Sequence, residues 1–86
     1  MANFTYNGTI TIEEGLTMEN PFMEIMKVDY TLSTNEFSVE VHFWEVLLRS
    51  SREFSFVNPN PGSLTMEAVL SFITSHPILS QFTPVA

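Results

Sequence analysis

Asp29, Glu40 and His42, with Lys27 beside them, are the side chains of this sequence whose types and spacing could do chemistry. They interleave with two apolar alternations, Met26, Val28, Tyr30 and Leu32 before Ser33-Thr34-Asn35-Glu36, and Phe37, Val39, Val41 and Phe43 after it. Closing that turn as a hairpin sets Leu32 opposite Phe37, Tyr30 opposite Val39, Val28 opposite Val41 and Met26 opposite Phe43. Every cross-strand pair on one face is then apolar, the contact that stabilises a half-buried sheet. On the polar face the same register places Asp29 opposite Glu40 and Lys27 opposite His42. Facing carboxylates repel and raise the pKa of one, the property a general acid uses.

The same three groups, Asp29, Glu40 and His42, are ligand types for a divalent cation. A flat strand face encloses neither an ion nor a substrate, and perturbed groups matter for function when they sit in a cleft. The expectation is a solvated surface with Lys27 relieving the charge diagonally, and neither metal nor cofactor. Nucleophilic chemistry has less to build on. His76 follows Ser75, but sequence neighbours are not a geometry and no GxSxG elbow is present. His76 before Pro77 reads as the end of a helix. Three isolated glycines form no phosphate cradle.

Eighty-six residues make a single domain, 1–86, with a small core. Cysteine is absent, so disulfides and thiolate metal sites are excluded. The net charge of −7 argues against direct nucleic-acid binding, which needs clustered Lys and Arg. No run approaches membrane-spanning length, and the first residues lack the basic start and apolar stretch of a secretory signal. A soluble protein, cytoplasmic or within a virion, is the expectation.

The elements that must position these residues follow from pattern. Phe4, Tyr6, Ile10 and Ile12 alternate with Thr5, Asn7, Thr9 and Thr11, predicting a strand over 3–13. The apolar phase runs straight through Asn7-Gly8, so Gly8 reads as a bulged or ring-covered glycine on the buried face rather than a hairpin turn. Residues up to Met23 read as a loop, and further strands are predicted over 24–33, 37–48 and 52–57. Phe43 and Trp44 break the alternation, which implies either a bulge or a strand half buried on both faces. Asn58-Pro59-Asn60-Pro61-Gly62 ends the strands. Ser63 is then a candidate N-cap for a helix over 64–75, with Met66, Val69, Leu70 and Ile73 on one stripe.

The predicted fold is α+β: a four-stranded, mostly antiparallel sheet, a β-meander, with one C-terminal helix packed on a face. The first strand lies at an edge. Eleven aromatic residues exceed what so small an interior should hold, so part of them should be covered by another molecule. Candidate contact residues are Phe4, Tyr6, Met18, Phe22, Met23 and Trp44. The expected function is non-enzymatic: a structural protein that self-associates or joins other subunits of a larger particle, such as a bacteriophage virion. The alternative is a small acidic inhibitor or adaptor that binds a basic groove through Glu13, Glu14, Glu19 and Glu24.

Overall fold

The computed structural model describes residues 3–85. In chain order the elements are β1 (Asn3–Thr5), β2 (Thr9–Glu13), β3 (Leu16–Glu19), β4 (Phe22–Thr31), β5 (Glu36–Trp44), β6 (Arg49–Val57), helix α1 (Met66–Ser75), a 3-10 turn (Leu79–Gln81) and β7 (Thr83–Pro84). The fold is α+β with an antiparallel sheet and one α-helix. The sheet has five strands rather than four, in the order β6-β5-β4-β1-β7, and β2 and β3 form a second, two-stranded sheet. No helix among the described residues is long and apolar enough to cross a membrane.

The strand predicted over 3–13 divides at Gly8. Gly8 takes φ 130° and exchanges hydrogen bonds with Asn20: the Gly8 N–H donates to Asn20 Oδ1 (2.8 Å), and the Asn20 N–H to the Gly8 carbonyl (2.7 Å). The ladder of β1 with β4 thereby continues as the ribbon of β2 with β3. The Tyr6 ring covers Gly8, with Cε2 3.4 Å from where a Cβ would stand. β3 lies in the stretch expected to be a loop. It turns back through Gly15 (φ 81°), and Leu16 and Met18 are too few to show an alternation. Arg52 on β6 clasps this ribbon: its Nη1 donates to the Ile12 carbonyl (2.7 Å), and its guanidinium lies 4.8 Å from the Phe54 ring centre.

In the central hairpin Val28, Tyr30 and all of β5 keep their expected faces, Met26 and Leu32 do not, and the pairs change. Thr31 pairs with Glu36, Tyr30 with Phe37 and Val28 with Val39. The turn is Leu32–Asn35, one residue earlier than expected, because Asn35 adopts the left-handed φ of 55° that ends it. Its carbonyl and side-chain amide are held by the backbone of Asn58, which is itself buried. A bulge between Ile25 and Lys27 then brings Ile25 opposite Val41 and Met23 opposite Phe43, and leaves Met26 exposed. Val39, Val41 and Phe43 are fully buried.

β5 alternates without a fault to its end, so there is no bulge at Phe43-Trp44: Phe43 faces the core and Trp44 the opposite side. The strand stops at Trp44 rather than residue 48. Glu45–Leu48 is a turn, with the Glu45 N–H donating to the Leu48 carbonyl (2.9 Å), and β6 begins at residue 49 rather than 52. α1 begins at Met66 with Thr65 as its N-cap, not Ser63. Its buried stripe is Val69 and Ile73, rotated away from Met66 and Leu70, because Phe72 stacks on Phe56 of β6 at 4.4 Å.

The first strand is not an edge. β7 pairs along its outer side, Pro84 opposite Phe4 and Thr83 opposite Thr5. The C-terminal segment also contributes Leu79 and Phe82 to the core. With these additions and the β2–β3 ribbon, the interior takes in more rings than expected, and Phe22 is the one exposed aromatic residue among the described residues.

Candidate functional site

The face of the sheet away from α1 is uncovered, and its residues come from alternate positions of β4, β5 and β6. Along most of its length that face is charged. Asp29 stands opposite Ser38 rather than Glu40, and pairs along its own strand with Lys27 at 3.4 Å, both exposed. Glu40 lies between Lys27 and Glu53 of the flanking strands and meets His42 at 2.7 Å. The facing carboxylates predicted from the sequence do not form, because the earlier turn slides the strands by two residues. Among the described residues no group of three or more acidic or histidine side chains is gathered as a metal site.

At one end the same face becomes apolar. Phe22 opens β4 after buried Pro21, Trp44 closes β5, and the strands pair these two residues directly. Their rings stack at 5.8 Å with planes 24° apart. Beside them the turn between β5 and β6 carries Val46 and Leu47, 98% and 88% exposed, followed by Leu48. Glu45 anchors this turn to its neighbour, its carboxylate accepting the Glu19 N–H at 2.6 Å. Phe22, Val46 and Leu47 line a cavity of about 370 Å³ whose remaining walls are Glu19, Asn20 and Glu45. The arrangement is an apolar corner with an acidic rim, and it holds no convergent acid–base pair.

The six contact residues proposed from the sequence separate here. Phe4, Met18 and Met23 are enclosed by the chain's own core. Tyr6 packs half-buried against Phe82 at 5.8 Å. Phe22 and Trp44 reach the surface together. Val46, Leu47 and Leu48 are not among the six, because Trp44, Val46 and Leu48 keep a period of two, shifted by one residue from Phe43, and so read as strand. The signal available was Trp44-Glu45-Val46-Leu47-Leu48 itself, in which apolar residues at 46, 47 and 48 run consecutively and no longer alternate.

His76 closes α1 and opens the 3-10 turn. Its Nδ1 accepts from the N–H groups of Ile78 (3.1 Å) and Leu79 (3.3 Å), and its ring meets Phe54 edge-on at 5.0 Å. Burial, and secondarily the Arg52 cation, hold its pKa below the ordinary value. The role is structural: a neutral imidazole accepts where an imidazolium could not.

Comparison with models of known protein families, with curated proteins and with solved structures finds no match to this chain.

Proposed function

We propose that this chain is a non-enzymatic assembly protein that self-associates or serves as one subunit of a larger particle, such as a bacteriophage virion. The observation that carries the reading is the apolar corner of Phe22, Trp44, Val46 and Leu47. A turn is normally the most polar part of a hairpin, yet this one presents aliphatic side chains to water beside a stacked aromatic pair. Burying an exposed Val or Leu side chain is worth about 1.5–3 kcal/mol, so a partner covering the corner gains several kcal/mol before association costs.

Light scattering coupled to size-exclusion chromatography over a range of concentrations tests it. Mass should rise with concentration, and Leu47→Glu should return the protein to the monomer mass. A chain that stays monomeric at every concentration defeats self-association.

A second reading, a small acidic adaptor for a basic groove, draws on the charged part of the same face, where Glu24, Glu40 and Glu53 occupy adjacent strands. Salt separates the two. Apolar self-association persists at high ionic strength, whereas binding to a basic partner weakens steeply.

A further inference from the structure

The two edges of the five-stranded sheet are unequal. β7 is two residues long and contains Pro84, which blunts it, while β6 runs nine residues with nothing paired on its outer side among the described residues.

We propose that the partner of this edge is a second copy of this chain: β6 pairs antiparallel with β6 of the copy about a two-fold axis at Ser51. The charges of the strand select that register. Arg49 and Glu53 are exposed, share the outer face and flank Ser51 at two residues on either side. Centred on Ser51, each Arg49 stands opposite Glu53 of the copy, so two opposite-charge pairs form. Centring on Arg52 or on Glu53 sets like charges against each other on the axis. Centring on Ser50 or Phe54 leaves both Arg49 and Glu53 without an opposite charge.

In this register residues 49–53 of the two β6 strands lie side by side, and Ser50 of each chain stands opposite Arg52 of the other. The dimer is isologous, and the sheet becomes continuous across both chains.

This inference rests on the self-association reading and adds its geometry, and cysteine chemistry tests the two apart. The chain contains no cysteine, so Ser51→Cys introduces a single thiol. Residues directly opposite in an antiparallel pair have Cα atoms about 4.5–5.5 Å apart, within disulfide range. Mild oxidation should convert Ser51→Cys to a covalent dimer. Ser55→Cys, about 27 Å from its counterpart in this register, should remain uncrosslinked. Arg49→Glu should raise the dimer Kd at least about tenfold, and the double variant Arg49→Glu/Glu53→Arg should restore it, because the exchange recreates both pairs. An oligomer without the Ser51 cross-link, or without rescue by the charge exchange, overturns the edge pairing and leaves self-association standing. A monomer at every concentration overturns both.

Discussion

Phe22 and Trp44 stack on each other on the solvent side of the sheet, directly across from Met23 and Phe43, the pair one residue along each strand that the core encloses completely. Adjacent positions of the same two strands thus supply interior on one face and an apolar surface on the other, which is how so small a domain can carry both.

The surface pair should matter to assembly more than to folding. Trp44→Ala should weaken self-association about tenfold or more in sedimentation or light-scattering experiments. Leu47→Glu should do the same while changing the unfolding free energy by less than about 0.5 kcal/mol, since Leu47 makes little contact within its own chain. Equal losses in folding and association would place Trp44 in the core instead.

Val41 and Glu40 are neighbours in β5 with opposite consequences. Val41 is fully buried between Ile25 and Arg52, so Val41→Asp replaces core packing by a desolvated carboxylate, and the one cation opposite it, Arg52, is already held by the Ile12 carbonyl. The cost, about 4 kcal/mol or more, approaches the whole stability of a small domain. Glu40→Gln loses a half-exposed contact with His42 and should cost at most about 1 kcal/mol. Circular dichroism during urea titration measures both.

Gly8 is held at a backbone angle that side chains rarely adopt, with the Tyr6 ring already against it. Gly8→Ala should destabilise by about 1–3 kcal/mol, shifting the denaturant midpoint with little change in slope. An unchanged midpoint would mean that the junction of β1 and β2 relaxes freely.

The domain should weaken in mild acid through His76. Burial and the Arg52 cation lower its folded pKa below the 6.5 of the unfolded chain, so the folded state disfavours the imidazolium. Its contribution is whole above pH 6.5 and is lost as pH falls through the depressed folded value, where the acceptor for Ile78 and Leu79 disappears. Proton NMR should give a His76 midpoint below 6.5, and His76→Gln should flatten the dependence of Tm on pH across that range.

What the residues determine by themselves is which way side chains point. Alternation puts Phe37, Val39, Val41 and Phe43 on the core side, and the structure keeps them there. The breaker at Asn58–Gly62 and the stop at His76-Pro77 likewise follow from proline and glycine, whose effects are local. Alternation says nothing about how far two strands slide past each other. A slip of two residues preserves every face, and here it separates Asp29 from Glu40 and dissolves the facing carboxylates. That slip is decided by Asn35, whose left-handed turn is secured by Asn58 from a distant part of the chain. The same holds for β7 covering β1, for Arg52 holding the β2–β3 ribbon, and for the emergence of Val46 and Leu47 beside Phe22. Each depends on a contact between residues far apart in sequence, and such contacts are set by the packing of the whole chain rather than by any local pattern.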